Sequence, residues 1–516
     1  NGSVPSQSPE TPVALEVSTK PKKNKFALAC AMLASLTSML LGYDVGGMSG
    51  AIMFIREDLR ISDVQIEIIV GVLNLNCLVG SIVAGKVADW ISRRNTKVLA
   101  NAIIFVGSLF MGFSVNYTFL MVGCFIAGIG VGFAIMSAIL YNAEISPASS
   151  RGFLTSFPEV CINVGILFGY VPNYAFSKLP LSIGWRLMLG IGAIPSVFLV
   201  FAVLAMPESP RWLVVQGRLS EAKIMLEKTL DTKEEAQLRL NDIKEAAGIT
   251  QDYVGDDDVV PKKAHGKGVW RELFLHPTPA VKHVLICAVG IHFFQQASGV
   301  DAVVLYSPRI FEKAGITSSN EKLLMTVAVG FCKTVFILVA TFLLDKVGRR
   351  SLLLFSIGGM VASLTTLGFS LTIINHSDSK LTWAIALRIT MVLAYVAFFS
   401  IGMGPITGVY MSDIFPLRLR AQGVSMGVAV NRVTSDSVIS MTFISLYEAI
   451  TIGGAFCLFA SIASVGWVFF YLCMPETRGK TLEETKKLFG KLVGWREVTR
   501  KMKSTVLVEP LTVTFH

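Results

Sequence analysis

The chain has 516 residues, of which 53% are hydrophobic and 16% charged, and Lys plus Arg outnumber Asp plus Glu by 46 to 36. Ordinary soluble domains carry about 25% charged residues, and the basic excess sits in short segments between long apolar runs, which argues against a soluble enzyme or a nucleic-acid binder and for a polytopic membrane protein. The eight cysteines lie within or beside those runs without CxxC spacing, so neither a disulfide framework nor a zinc site is implied.

In chain order, the first 25 residues are polar, rich in Pro and Ser, and end in Lys20, Lys22, Lys23 and Lys25. The run after them is long enough to span, so it is expected to be a first membrane helix rather than a cleaved leader. Twelve spans are expected, at roughly 26–50, 66–88, 97–115, 119–141, 154–176, 186–206, 280–310, 322–344, 351–374, 382–410, 421–446 and 451–473. Each is near the ~20 residues a helix needs to cross the hydrocarbon. The expected fold class is an all-α integral membrane protein. Its parts are a tail (1–25), a six-helix bundle (26–206), a polar linker (207–279), a second six-helix bundle (280–474) and a second tail (475–516). Ser220–Ala247 in the linker has helical periodicity and acid/base pairs such as Glu221/Lys228 and Glu234/Glu235/Arg239, so short amphipathic helices are expected there, on the cytoplasmic surface.

One set of loops carries Lys20–Lys25, then Arg93, Arg94 and Lys97, Arg151, Lys346, Arg349 and Arg350, Arg418 and Arg420, and the basic second tail. The other set is mixed or nearly uncharged: Arg56 and Arg60 among Glu57, Asp58 and Asp63, then Asn116–Thr118, then Asn375–Lys380. The asymmetry places both termini in the cytoplasm. Asn116-Tyr117-Thr118 and Asn375-His376-Ser377 fit the glycosylation pattern on the outer side.

The two halves repeat each other. Asp89-Trp-Ile-Ser-Arg-Arg94 follows the second span and Asp345-Lys-Val-Gly-Arg-Arg350 the eighth. Glu144-Ile-Ser-Pro147 with Arg151 follows the fourth, and Asp413-Ile-Phe-Pro416 with Arg420 the tenth. Pro207-Glu-Ser-Pro-Arg211 closes the sixth, and Pro475-Glu-Thr-Arg-Gly479 the twelfth. Three paired motifs in the same order indicate a duplicated six-helix unit, an architecture that places a solute site between the repeats. The motifs join acids to arginines at helix ends. Asp89, Arg93, Arg94, Glu144, Arg151, Glu208, Arg211, Asp345, Arg349, Arg350, Asp413, Arg420 and Glu476 are therefore candidate gating residues, able to pair across the bundles and hold the inner side shut. The alternative is that they are topology signals with surface ion pairs of little individual worth.

Gln295 and Gln296 lie inside the seventh span, followed by Gly299, Asp301 and Tyr306. Two adjacent amides in a membrane helix are costly unless they face a cavity or a partner helix. Amides buried among apolar groups suit a solute made of hydroxyls, each both donor and acceptor. Asp44, in the apolar and glycine-broken run Leu40–Met48, is the candidate proton site, because a carboxyl held away from water can gain and lose a proton in the working range.

The chain resembles the sugar porter family of the major facilitator superfamily over nearly its full length, and within it the plant polyol/monosaccharide transporters. The likeness rests on Asp345–Arg350, Pro207–Arg211, Pro475–Gly479, Gln295-Gln-Ala-Ser-Gly299, Phe293-Phe-Gln-Gln296, Gly402-Met-Gly-Pro405 and Arg151–Glu159. The resemblance implies the major facilitator fold and uptake of a small polyol or sugar coupled to protons at the plasma membrane. It assigns Gln295 and Gln296 to sugar hydroxyls and places Glu159, Asp301, Lys333 and Asn431 at cavity positions. Charges there should pair, Glu159 with Lys333 or Arg432, and Arg432 with Asp436 four residues on. No cofactor, metal or nucleic-acid partner is expected, and the six histidines form no HExxH spacing.

Several positions depart from the family pattern. Cys124 stands where an arginine usually partners the first-span acid. Ser92 replaces a glycine, Gly408 a tryptophan, and Met411 and Asp413 a small residue and a glutamate, while Arg388 adds a charge within the tenth span. Four functions follow for comparison: a proton-coupled carrier, a facilitative carrier uncoupled at Cys124, a non-transporting sensor with a carrier fold and, weakest for want of an HExxH or nucleophile-elbow pattern, an integral membrane enzyme.

Overall fold

Among the described residues every element is a helix, the one open-ended structure whose backbone satisfies its own hydrogen bonds inside hydrocarbon. The computed structural model describes residues 24–147, 151–246, 277–374, 382–415, 419–477 and 488–489. The first half contains α1 (Lys25–Leu36), α2 (Ser38–Leu59), α3 (Asp63–Trp90), α4 (Arg93–Gly112), α5 (Tyr117–Ile145), α6 (Arg151–Thr155), α7 (Phe157–Phe176), α8 (Leu181–Gly190) and α9 (Ala193–Leu204). Three linker helices follow: α10 (Pro210–Val215), α11 (Leu219–Thr229) and α12 (Lys233–Ala246). The second half contains α13 (Pro279–Ala297), α14 (Val300–Leu305), α15 (Ser307–Lys313), α16 (Ser319–Val347), α17 (Arg349–Ile374), α18 (Thr382–Ile401), α19 (Met403–Ile414), α20 (Arg420–Arg432), a π-helical stretch (Val433–Ser440), α21 (Phe443–Ile450) and α22 (Ile452–Cys473).

Eleven of these, singly or joined end to end, are long and apolar enough to cross a membrane. The expected span at 421–446 is the exception. It is divided among α20, the π-helical stretch and α21, and its sequence carries Asn431, Arg432 and Asp436. A π-helical turn begins directly after Arg432. The side chain of Asp436 lies outside the described residues.

The helix ends follow local chemistry. Ser62 and Gln65 form a reciprocal capping box at α3, Asn116 caps α5, and Thr278 caps α13. Gly299, at φ 86°, separates α13 from α14. The packing of α2 on α7 depends on glycine, since a Cβ on Gly42 would sit 1.9 Å from the Ile162 carbonyl oxygen and one on Gly165 would sit 2.1 Å from that of Met39. Outward, the bundle shows large apolar side chains such as Phe198, Phe201, Phe331 and Phe355, the surface lipid requires.

The antiparallel order brings the start of α1, the end of α22 and the linker helices α10–α12 to one end of the bundle, here called the terminal end, and the turns before α3, α5, α8, α16 and α22 to the far end. The linker has its own small core of Leu213, Val214, Leu219, Leu226, Leu230 and Leu240, and Asn24 Nδ2 ties it to α1 by donating to the Lys228 carbonyl at 2.8 Å. Glu221 pairs with Arg218 rather than Lys228. Two charges have uses the sequence did not show. Lys97 is buried and donates to the Ala34 carbonyl at 2.8 Å. Arg388 donates to the carbonyls of Ala314, at the end of α15, and Ser370, in the last turns of α17, at 3.1 and 3.2 Å.

Candidate functional site

A cavity of about 170 Å³ lies between the halves. Of the expected solute-binding residues, Gln295, Gln296, Asp301, Glu159, Lys333 and Asn431 all line it, as does Arg432. Tyr306 does not. It is buried, stacks on Phe443 with ring centroids 5.5 Å apart, and donates to the Ser440 carbonyl at 2.8 Å, which fastens α14 to the π-helical stretch.

The three amides are bonded to one another. Asn431 Nδ2 donates to Gln295 Oε1 at 2.8 Å, and Gln296 Nε2 donates to Asn431 Oδ1 at 3.1 Å. Gln295 Nε2 donates to the Met403 carbonyl at 3.2 Å. The triad thus holds α13, α19 and α20 together and leaves the Gln296 Oε1 oxygen buried without a partner. The same residues that line the cavity serve as interhelical fastening.

Glu159 and Lys333 enter from opposite halves. Glu159 on α7 accepts from Asn163 Nδ2 at 3.4 Å, and Lys333 on α16 holds its ammonium 5.8 Å from the centre of the Phe399 ring. The two charges act on each other yet make no ion pair. Asp44 is buried on α2 with Oδ2 lacking any hydrogen-bond partner, and it lies outside the cavity lining. Cys124, buried on α5, is close enough to feel the Asp44 charge, and its thiol lies 3.7 Å from the Met111 sulfur.

At the terminal end the repeated motifs build two like junctions. In the first half Arg93 pairs with Glu144 at 3.1 Å and with Asp89 at 2.7 Å, while Glu208 accepts from the backbone N–H groups of Arg93 and Arg94. In the second half Arg349 pairs with Asp413 at 3.4 Å, and Glu476 accepts from the N–H groups of Arg349 and Arg350 at 3.0 Å each. These pairs run within a half, whereas the sequence suggested pairing across the halves. Arg211 contributes charge at Glu144 from the start of α10, on the first-half side. The side chains of Arg151, Asp345 and Arg420 lie outside the described residues.

Hydrogen bonds join the halves mid-span, from Ser49 and Tyr170 to the Val304 carbonyl and from Thr334 to the Asn163 carbonyl, and acidic side chains cross between the halves at the far end, where no motif pointed to them. Arg309 pairs with Asp63 at 2.6 Å, and the partnership raises the Arg309 guanidinium above its ordinary range against the opposing effect of burial. Glu67 accepts from the N–H groups of Ile444 and Ser445 and from the Ser445 hydroxyl, at 2.8, 3.1 and 2.7 Å, and so caps α21 from α3. The available signal was an acid one helical turn inside an apolar span.

Residues 30–489 match the sugar (and other) transporter family. The chain is 61% identical over 508 residues to polyol transporter 5 of Arabidopsis thaliana, covering 98% of this chain and 94% of that one. It is 31% identical over 463 residues to the glucose transporter GlcP of Staphylococcus epidermidis, covering 90% and 97%. Among solved structures, the MFS proton:xylose symporter XylE bound to 6-bromo-6-deoxy-D-glucose superposes with a TM-score of 0.75 at 25% identity, covering 91% of this chain and 100% of that one.

Proposed function

The chain belongs to the sugar (and other) transporter family, the sugar porters of the major facilitator superfamily, and from that premise we propose that it carries a neutral polyol or monosaccharide with a proton across the plasma membrane by alternating access. The observation that supports this most is the cavity between duplicated halves, lined by amides and by charges of both signs. Such a lining offers donors and acceptors together, as hydroxyls require. Both termini lie in the cytoplasm in this reading, so the far-end contacts of Glu67 and Asp63 close the outer side. Asp44 carries the proton, its unpaired oxygen marking a carboxyl that is satisfied by neutrality rather than by a partner. The terminal-end junctions set which way the halves rock.

A facilitative carrier is the second reading, favoured by Cys124: among the described residues no cation contacts Asp44. Uptake of labelled sorbitol, mannitol, inositol, xylose and glucose in transport-deficient cells at two external pH values separates the two. Concentrative uptake abolished by an uncoupler supports symport; pH-insensitive equilibration supports the facilitative carrier; uptake of none of them defeats both. In the facilitative case Cys124→Arg supplies the missing charge and should steepen the response of uptake to the proton gradient, and adding Asp44→Asn should cancel that gain.

A further inference from the structure

A second pocket, of about 440 Å³, lies at the terminal end where the linker meets the first bundle, apart from the cavity between the halves. Its walls come from the starts of α1 and α4, the segment after α9, and the helices α10 and α11. Asn24 sets its width by donating to the carbonyls of Lys228 and Leu230 at 2.8 and 3.3 Å, which holds the end of α11 against the start of α1. The two acids that line it are engaged. Glu221 accepts from Arg218 at 2.7 and 2.6 Å, and Glu208 accepts from the N–H groups of Arg93, Arg94 and Ser209 at 3.1, 3.3 and 3.2 Å. The buried polar atoms of the lining that lack a partner are both donors, Arg94 Nε and Trp212 Nε1. Among the described residues the Arg94 guanidinium and the Lys228 ammonium, which share this lining, make no hydrogen bond and no ion pair. Buried donors are costly to leave without an acceptor.

The second half shows the same arginine satisfied. Arg350, the counterpart of Arg94, donates to the Tyr471 carbonyl at 2.9 Å and holds its guanidinium 5.4 Å from the centre of the Tyr471 ring. Tyr471 stands five residues before the capping carboxylate Glu476, and the residue five before Glu208 is Val203. Val203 has no ring to offer, and its carbonyl accepts from the Met206 N–H at 3.0 Å. The first half therefore keeps the arginine without that partner, and the arginine lines the pocket instead.

We propose that this pocket binds the phosphate group of a phosphate ester, held by Arg94, Lys228 and the Trp212 N–H, and that the bound ester pins the linker to the first bundle. A guanidinium takes phosphate oxygens in pairs, an ammonium adds a point charge on a flexible stem, and an indole N–H only donates. Such a set suits an anion with several acceptor oxygens rather than a neutral solute. Phe26 and Ile224, both exposed where they line the pocket, give the carbon part of the ester an apolar surface. Arg94 belongs to the bundle and Lys228 to the linker, so a phosphate between them adds a second tie beside Asn24. The same chemistry arrives either as a lipid headgroup or as a soluble ester. The site is independent of which solute the chain carries.

The test is thermal unfolding of the delipidated full chain in a neutral detergent at constant ionic strength. The probes are glycerol 3-phosphate and dioctanoyl phosphatidic acid, with glycerol and dioctanoylglycerol as their uncharged controls. A phosphate probe should raise the melting temperature saturably, by about 3 °C at a hundredfold excess over its Kd, and its control should not. Arg94→Gln and Lys228→Gln should each weaken the apparent affinity roughly tenfold, and Trp212→Phe about threefold. Lys223→Gln removes an equal charge from α11 outside the pocket and should leave the affinity unchanged. If Arg94→Gln fails to fold, Lys228→Gln decides, since that side chain is exposed. Stabilisation by phosphatidic acid alone assigns the phosphate to a headgroup and by glycerol 3-phosphate alone to a soluble ester, and each supports the site. Stabilisation by neither probe, or equal stabilisation of the unmodified chain and Lys228→Gln, overturns it. Amide hydrogen exchange in α10 and α11 should slow when the probe is bound, and unchanged exchange in a chain that still binds it overturns the pinning of the linker.

Discussion

The two terminal-end junctions are copies of one design, and they have drifted apart in one part only. In both, a carboxylate from after the last helix of its half, Glu208 or Glu476, accepts from the first free N–H groups of a helix, α4 or α17. The arginine–acid pair beside it differs. Arg93 and Glu144 meet through two contacts, at 3.1 and 3.3 Å, with side chains 5% and 7% exposed. Arg349 and Asp413 meet at 3.4 Å with side chains 11% and 19% exposed. The shorter aspartate reaches less far, and the second junction is the wetter of the two. Duplication has kept the helix cap and relaxed the ion pair, so the caps are the common structural element and the pairs are where the halves differ in stiffness.

The largest expected effect falls on the drier pair. Glu144→Ala leaves Arg93 buried beside an exposed Asp89, and removing one partner of a buried pair costs about 3–5 kcal/mol. Asp413→Ala should cost roughly 1 kcal/mol, because water reaches that pair. Thermal unfolding of the two purified variants checks the ranking, and equal losses would dissolve the contrast. The caps should behave alike. Glu208→Gln and Glu476→Gln each weaken charge-assisted bonds to two backbone N–H groups, for about 1–2 kcal/mol apiece. A clear inequality between them would show that the caps have diverged as well.

The division of the chain was legible because hydropathy reports which segments meet lipid, and because the three paired motifs repeat in order. The cavity residues were legible for a related reason: a polar group such as Gln295, Glu159 or Lys333 inside an apolar run must face something other than lipid. Hydropathy cannot say what it faces. Tyr306 was expected at the solute and instead braces the π-helical stretch. The amides were expected to point at ligand and are largely bonded to one another. The expected pairing of Arg432 with Asp436 falls on a side chain outside the described residues. The far-end contacts were hidden because Asp63 and Glu67 find their partners on α15 and α21, more than 240 residues away, and no local pattern encodes that meeting.

The smallest effect sharpens the comparison most, since it concerns the single residue ahead of each cap. Gly348 holds φ at 102°, a backbone conformation open to glycine, while Ser92 holds the matching place in the first half at 131°. A side chain in that region costs of order 1–3 kcal/mol. Ser92 recovers part of this through its hydroxyl, which accepts from the Asn95 N–H at 3.1 Å. Exchanging such a cap for glycine costs only a few tenths of a kcal/mol. Ser92→Gly should therefore stabilise the protein by about 1 kcal/mol, read as a raised melting temperature. The reverse change in the other half should do harm for a separate reason. A Cβ on Gly348 would lie 2.9 Å from Glu476 Oε2, the carboxylate that caps α17. Gly348→Ala thus combines backbone strain with displacement of the cap, and adding Glu476→Gln to it should cost less than the sum of the two single losses. A lower melting temperature for Ser92→Gly would mean that the serine hydroxyl outweighs the strained backbone, and that the first junction is adapted to serine rather than burdened by it.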